Sequence, residues 1–543
     1  MLNSNNNYTT MKINKIAIIL TSVIAMSCTG DFEDMNKDPM AVSEVSPKLI
    51  LPVMMNSGYH LVAGDYQRAT TLYSALYCQY FANTANYFTS DSYMFNTAWA
   101  ERGLWSAYYG NVIRGMREVA ASLENHPEYT DMYQIMRINT AIMTIRMTDI
   151  FGDIPYTKAG YGETQNPYDA QKDIYYDVFN ELTDAVAILK EARQNQLQYG
   201  DEDMIYQGNV EKWIKLANSV RLHAALRISF IDPNKAKAEG EAALKESLIA
   251  SNEDNAAVTI PMPNTWYNPL IEAGGWNEFR ASKTLVNILQ QQSSVTDPRL
   301  ELMLSQTEAY VKGEDRTVPR FQGVPNGLST ADVSLKQYNN EHNSGIWGYM
   351  WGFKWNSLAP DPTASLPNTH EVCPPLSVMN YSEVCFLKAE AALRNWAGAG
   401  NAKDNYENGI KASFADMRTL APEGSYTSDN DNTYITTGNV KWNETDDFET
   451  KLEKIITQKW LGIYPNADEA WAECRRTGYP ILNPVVLSLD PNINPANGEF
   501  IKKLRYVDNE LTNNKENAEN PALNGGKGDG LNVRVWWDTA RYK

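Results

Sequence analysis

The residues best suited to chemistry are aromatic side chains in loop-like segments beside amide and carboxylate side chains. Trp347, Tyr349 and Trp351 alternate along the chain, so an extended backbone would place all three rings on one face. Flat aromatic faces can pack against the C–H face of a sugar ring, while polar neighbours bond to its hydroxyls. We identify nine candidates for such contacts: Asn86, Tyr87, Tyr93, Trp266, Tyr267, Trp276, Trp347, Tyr349 and Trp351.

The sequence carries no motif of a serine hydrolase, a zinc protease or a nucleotide-binding loop. G-x-S-x-G and H-E-x-x-H do not occur, and the five histidines are scattered. Apart from Cys28, the four cysteines are far apart and show no C-x-x-C spacing, so they indicate neither a zinc site nor a disulfide scaffold. Cys78, Cys385 and Cys474 lie in apolar, helical-looking stretches and are interpreted as buried small hydrophobes. We therefore expect no catalytic residue, no cofactor and no metal.

A glycoside hydrolase on a helical scaffold is the competing class. It needs two carboxylates about 5–10 Å apart, one of them with a raised pKa. With 66 acidic residues, such pairs arise by chance. Asp149 and Asp153 are the most tempting pair, but we interpret Asp149 as the end of a helix and Asp153 as a turn former.

Composition narrows the class further. The 543 residues carry a net charge of −18, which disfavours binding to nucleic acid, because neutralising phosphates needs a basic surface. Charged residues make up only 21%, and 59 aromatic residues are present, a composition that excludes intrinsic disorder.

The N-terminus has the pattern of an export signal. A basic segment at 11–15 precedes an apolar run at 16–26, which is too short to span a bilayer. Ala25-Met26-Ser27-Cys28 resembles the lipobox of bacterial lipoproteins, in which the cysteine becomes the acylated first residue. We predict a signal peptide at 1–27, lipidation of Cys28, a tether at 28–50 and a stable lipid anchor.

The elements that must position the aromatic loops are mostly helices. Apolar spacing predicts helices over 133–151, 171–192, 210–230, 282–292, 381–396 and 402–418. Their pairing across short turns suggests tetratricopeptide-type hairpins. Trp105, Trp213, Trp396, Trp460 and Trp471 lie at helical spacing and are interpreted as core. We predict one domain at 51–543, with a helical scaffold at 51–250 and 376–480, a loop-rich insert of short helices and strands at 251–375, and an irregular segment at 481–543.

Several segments together resemble the SusD/RagB-like outer-membrane nutrient-binding lipoproteins, most of all their SusD-like type 2 branch. The resemblance runs from Cys28 to the end of the sequence, and its blocks are 149–156 (DIFGDIPY), 212–222, 381–391, 459–460, 469–471, 475–480 and 535–538.

This resemblance implies a mostly helical fold with about four tetratricopeptide-like hairpins and a loop-rich region packed on them. It also implies a surface lipoprotein of the outer membrane that faces the extracellular side, binds glycans and is not an enzyme. Its partner would be a SusC-like TonB-dependent transporter. Some relatives bind peptides, so peptide cargo stays open.

Overall fold

The longest helix shows how the sequence builds the scaffold. Residues 130–151 are apolar on most sides, and the helix is buried along most of its length. It ends at Gly152, whose φ of 81° favours glycine and whose missing Cβ leaves room for the Asn524 side chain. We analysed a computed structural model, which describes residues 46–191, 193–259, 268–313, 317–346, 348, 374–421 and 427–542.

Helices of nine or more residues form the frame of this part of the chain. In order they are α1 (Pro47–Gly58), α2 (Arg114–Ser122), α3 (Thr130–Phe151), α4 (Gln171–Leu189), α5 (Val210–Arg227), α6 (Pro233–Ala243), α7 (Lys283–Gln291), α8 (Tyr381–Leu393), α9 (Ala402–Thr419), α10 (Phe448–Gly462) and α11 (Ala467–Thr477).

Short elements connect this frame. Short α-helices span Ala63–Tyr66, Ala75–Tyr77, Thr97–Ala100, Pro269–Gly275, Leu300–Met303, Glu308–Lys312, Asp431–Thr436, Asp508–Asn513, Lys515–Ala518 and Leu523–Gly526. Wider π-helical turns span Gln67–Ser74, Glu101–Trp105 and Tyr108–Ile113, and 3₁₀ turns span Ser90–Ser92, Pro127–Tyr129, Asn252–Asp254, Asp332–Ser334, Lys336–Tyr338 and Pro495–Asn497.

Consecutive long helices pack as hairpins. The pairs are α3 with α4, α5 with α6, α8 with α9, and α10 with α11. The predicted helices are confirmed, with ends shifted by a few residues. For example, α8 ends at Leu393, before the predicted 396, because Asn395 takes a positive φ of 58°. The mostly helical fold with its hairpin scaffold is therefore confirmed.

The predicted tryptophan core is also confirmed. Trp105, Trp213, Trp396, Trp460 and Trp471 are all buried. Trp396 illustrates the fit, because a Cβ on Gly240 of α6 would lie 2.1 Å from its ring. The free cysteines Cys78, Cys385 and Cys474 are buried too.

The described strands form two-stranded antiparallel ladders. They are β1 (Phe81–Asn83), β2 (Ile154–Pro155), β3 (Tyr168–Asp169), β4 (Ala256–Val258), β5 (Phe279–Ala281) and β6 (Leu376–Met379). β1 pairs with β5, β2 with β3, and β4 with β6. The described parts of 251–375 thus consist of short helices, strands and loops, joined to the scaffold through β1 and β6. Residues 47–543 cluster as one unit.

Candidate ligand-binding site

The β1/β5 ladder brings two predicted site segments together. Beyond the ladder, the Thr84 amide donates to the Glu278 carbonyl at 2.9 Å. The Tyr87 hydroxyl donates to Glu278 Oε1 at 2.8 Å, and Trp276 lies two residues before Glu278. Tyr87 is 65% exposed and Trp276 is 40% exposed, so both rings reach solvent on this part of the surface.

Tyr87 stands on a loop that is held from inside. The Asn83 amide side chain donates to the Ala85 and Phe88 carbonyls at 2.8 and 2.9 Å. Buried Asp91 accepts from the Asn83 backbone amide at 3.0 Å. These bonds fix the loop before any ligand arrives, which lowers the entropy cost of binding.

Three aromatic rings form a connected group, which we call the aromatic platform: Tyr87, Phe88 and Trp99. The Tyr87 and Phe88 ring centroids lie 4.7 Å apart, and those of Phe88 and Trp99 lie 5.4 Å apart, both edge to face. Trp99 sits on the short helix Thr97–Ala100, whose first turn is capped by Asn96. Phe88 and Trp99 are half-buried, so the platform has a packed base and an exposed edge.

Polar side chains border the platform. Glu278 accepts from Tyr87 and, on its other oxygen, from Gln67 Nε2. Burial raises the pKa of Glu278, while the hydrogen bonds from Tyr87 and Gln67 oppose that rise. Next to Gln67, Arg68 lies 3.3 Å from Asp65. Aromatic faces beside donors and acceptors of this kind suit a ligand with apolar faces and hydroxyl groups.

The remaining predicted residues divide between the surface, the core and segments outside the described residues. Asn86 is exposed beside Tyr87. The prediction that Tyr93 contacts a ligand is wrong. Its side chain is 2% exposed and packs edge to face on Tyr77 at 5.8 Å, so its ring offers no face to a ligand. The others lie outside the described residues: Cys28, Trp266, Tyr267, Trp347, Tyr349 and Trp351.

The nine candidates omit four members of this surface: Phe88, Trp99, Gln67 and Glu278. A signal for Trp99 existed, because it lies six residues before Trp105, which corresponds to about 240° around a helix. The two rings accordingly differ in burial: Trp105 is buried in the core, whereas Trp99 packs against the same core and is only partly buried. No sequence signal marks Gln67 and Glu278, which are 211 residues apart and meet only through tertiary packing.

Asp149 and Asp153 have structural roles, as interpreted from the sequence. Asp149 accepts from the Tyr175 hydroxyl and from Trp537 Nε1, both at 2.6 Å. Asp153 accepts from the backbone amides of Gln171 and Asn524 at 2.8 and 2.7 Å. Both carboxylates are buried and bonded within the protein.

One buried group has the composition of a metal site: His223, Glu383 and Glu469, whose nearest ligand atoms lie within 4.8 Å of one another. Lys459 Nζ lies 2.7 Å from Glu469 and 3.5 Å from Glu383, and Arg227 also pairs with Glu469. These bases already supply the positive charge that a metal would bring. Burial would raise the pKa of Glu469, but Arg227, His223 and Lys459 hold it well below its usual range. We assign the group to a buried ionic network.

Among the described residues, no helix has the length and apolar character needed to cross a membrane.

Comparison with known proteins places these observations in a family. A family model described as "SusD-like: Susd and RagB outer membrane lipoprotein" matches residues 28–538. No curated protein matches the chain.

Solved structures match over nearly the whole chain. A chitin-binding SusD homolog from Flavobacterium johnsoniae is 26% identical with a TM-score of 0.73, and the match covers 91% of this chain and 99% of that one. A SusD homolog from Bacteroides uniformis is 26% identical with a TM-score of 0.71 and the same coverage. A third from Parabacteroides distasonis, at 24% identity and a TM-score of 0.76 over 91% and 98%, shows the shared fold. The chain therefore belongs to the SusD-like family of SusD and RagB outer membrane lipoproteins.

Proposed function

We propose that this protein is a cell-surface glycan-binding lipoprotein that captures oligosaccharide and passes it to a SusC-like TonB-dependent transporter. The observation that carries the proposal is the aromatic platform, in which Tyr87 and Phe88 stand on a fixed loop and Trp99 on a short helix, beside Glu278 and Gln67. Family membership and the 26% identity to a chitin-binding homolog support a carbohydrate as ligand.

The expected affinity is modest, which suits delivery. Each stacked ring contributes about 0.5–1.5 kcal/mol beyond area burial, and each net hydrogen bond contributes about 1 kcal/mol. Two or three such sets give roughly 4–6 kcal/mol, which corresponds to millimolar to tens of micromolar affinity. A ligand held this weakly leaves quickly, and tethering near a transporter compensates by raising the effective concentration.

The role we propose is binding without catalysis. The acid pair singled out from the sequence is buried in structural hydrogen bonds, and Glu278, the carboxylate beside Tyr87, is bonded to Tyr87 and Gln67. Lipidation of Cys28 would hold the protein on the outer membrane, facing outward, where a glycan is first met and a transporter is within reach.

A glycan array followed by isothermal titration tests the binding step, using soluble protein that starts after Cys28. Trp99→Ala and Tyr87→Ala should each lower oligosaccharide affinity about 5–30-fold. Tyr161→Ala is the matched control, because Tyr161 is also a 65%-exposed ring but packs on Arg117 away from the platform residues. If all variants bind the oligosaccharide with equal affinity, the platform is not the binding site. If no glycan on the array binds but a peptide binds saturably, the ligand is a peptide.

The delivery step needs its own test. A TonB-dependent transporter should co-purify with the lipidated protein when the outer membrane is solubilised in mild detergent. A protein that binds glycan but emerges without such a transporter would keep the binding function and contradict the hand-off.

A further inference from the structure

A cavity lies inside the helical scaffold, and none of the aromatic platform residues lines it. Its volume is about 410 Å³. Its rim includes Asn255, Thr259, Asp416 and Thr419, of which Thr259 and Thr419 are exposed. Its walls include apolar side chains of α3 such as Ile142 and Met143. The cavity therefore leads from the surface to the interior of the helix pairs.

Five polar side chains gather in the deep part of this cavity, and we call them the cavity cluster: His60, Tyr66, Arg146, Tyr464 and Asp468. They come from three distant stretches of chain. Arg146 Nε lies 3.9 Å from Asp468 Oδ2. Tyr66 lies close enough to both for their charges to act on its hydroxyl. Burial raises the pKa of that hydroxyl, Asp468 raises it further, and Arg146 opposes the rise. Tyr464 in turn is near Tyr66.

The cavity cluster has hydrogen-bonding capacity that the described residues leave unused. Both ring nitrogens of His60, the hydroxyl of Tyr464, Oδ1 of Asp468 and Nε of Arg146 are buried and bond to no described residue. His60 and Tyr464 are each only 3% exposed. Buried polar atoms are nearly always paired in folded proteins, so a concentration of unpaired ones around a cavity indicates a missing partner.

The charges and hydrogen-bonding groups of the cavity cluster indicate what kind of molecule the missing partner is. Asp468 is offset by Arg146, and Glu469 at the inner wall is paired with Lys459 at 2.7 Å, so neither of these two carboxylates presents an uncompensated charge to the cavity. Burial lowers the pKa of His60 well below its usual range, so the ring is neutral, with one donor and one acceptor. Tyr464 can likewise donate or accept. Alternating donors and acceptors between apolar walls match hydroxyl groups, each of which does both.

We infer that this cavity is a second ligand site, which binds one small uncharged polyhydroxylated molecule of monosaccharide size. The volume of about 410 Å³ is room for a single pyranose ring with bridging waters. The ring would bond to His60, Tyr464 and Asp468, and its C–H face would lie on Ile142 and Met143. This inference does not rest on the proposed function of the platform.

Ligand-observed NMR and crystal soaking test the site with defined probes: D-glucose, D-galactose, D-mannose, N-acetyl-D-glucosamine and myo-inositol. The protein starting after Cys28 should bind at least one probe saturably, and the soaked crystal should show it against the cavity cluster. His60→Phe and Tyr464→Phe should each weaken that binding about 3- to 10-fold. Ordered water alone in the cavity with every probe would overturn the inference.

Tyr59→Phe is the matched control. It deletes a hydroxyl from another residue that lines the cavity, but that hydroxyl already donates to Asn139 at 2.8 Å. It should lower the melting temperature and leave probe affinity nearly unchanged. Tyr464→Phe should show the opposite pattern, since it removes an unpaired group.

Stability loss in Tyr464→Phe with unaltered probe binding would contradict the site. Tyr87→Ala, on the platform, should keep probe binding in the cavity, so failure at one site is distinguishable from failure at the other.

Discussion

The buried pair Glu390–Arg476 permits a quantitative test of the scaffold. Arg476 donates through two nitrogens to the two oxygens of Glu390, at 2.8 and 2.6 Å, and Arg394 donates to Oε1 at 2.9 Å. The side chains of Glu390 and Arg476 are 1% and 0% exposed. Glu390→Gln keeps the shape, but removes the charge and turns an NH₂ group toward a guanidinium that can only donate.

The expected cost is about 3–5 kcal/mol in the free energy of unfolding, the range for breaking a buried ion pair and leaving its partner charged. The matched control is Glu118→Gln, which breaks the exposed helical pair of Glu118 with Arg114. That pair should contribute only about 0.2–0.5 kcal/mol. Equilibrium urea unfolding at pH 7.5 measures both variants. A loss in Glu390→Gln within about 1 kcal/mol of the control would refute the reasoning.

Glu390→Gln should also change how the stability of the protein depends on pH. Burial would raise the pKa of Glu390, but Arg476 and Arg394 hold it below its usual range in the folded protein. A lowered folded pKa means that the pair's stabilisation is present above the unfolded pKa of about 4.3 and is lost as pH falls toward the folded value. The stability gap between wild type and Glu390→Gln should therefore narrow below about pH 4.5. A gap that widens on acidification would contradict this assignment.

Three further predictions concern the lipid anchor, Asp416 at the cavity rim, and the two tryptophans Trp347 and Trp351, which the sequence predicts as ligand contacts. Cys28→Ala should abolish labelled-palmitate incorporation and membrane anchoring while leaving the melting temperature unchanged; persistent label would refute lipidation at this residue. Burial raises the pKa of Asp416 to about 6, so folded Asp416 holds its proton more tightly than the unfolded chain, and the contribution of Asp416 to wild-type stability should fall as pH rises from about 4 to 6. Asp416→Asn should reduce this fall, which thermal melts across that range would reveal; an unchanged slope would contradict it. Trp347→Ala or Trp351→Ala should lower glycan affinity about 5–30-fold with little change in melting temperature, whereas a large drop in melting temperature at unchanged affinity would place these rings in the core.

The sequence was most informative where local spacing decides the outcome. α3 was predicted within three residues, because its side chains are apolar on most sides, and Trp213 and Trp471 were predicted as core from helical spacing. Asp149 and Asp153 were interpreted correctly as structural residues, since they flank a helix end marked by Gly152.

The site was harder to predict, because its members meet only in the folded chain. Tyr93 follows the same loop pattern as Tyr87, yet the left-handed turn at Tyr93, with φ of 61°, directs its ring into the core. Glu278 joins Tyr87 through a strand pairing that spans 191 residues. Periodicity carries no information about such contacts, since it reports one element at a time.

The hydrogen bonds that complete the centre of the scaffold have a consequence for biogenesis. Asp149 is bonded to Trp537 across 388 residues, and Asp153 to Asn524 across 371 residues. Synthesis at about 5–20 residues per second places the later partners tens of seconds behind the first. Until they arrive, the end of α3 keeps two carboxylates without these partners, so the nascent chain cannot finish its interior. The interior at the end of α3 is therefore completed only after the C-terminal segment that carries Asn524 and Trp537 has been synthesised.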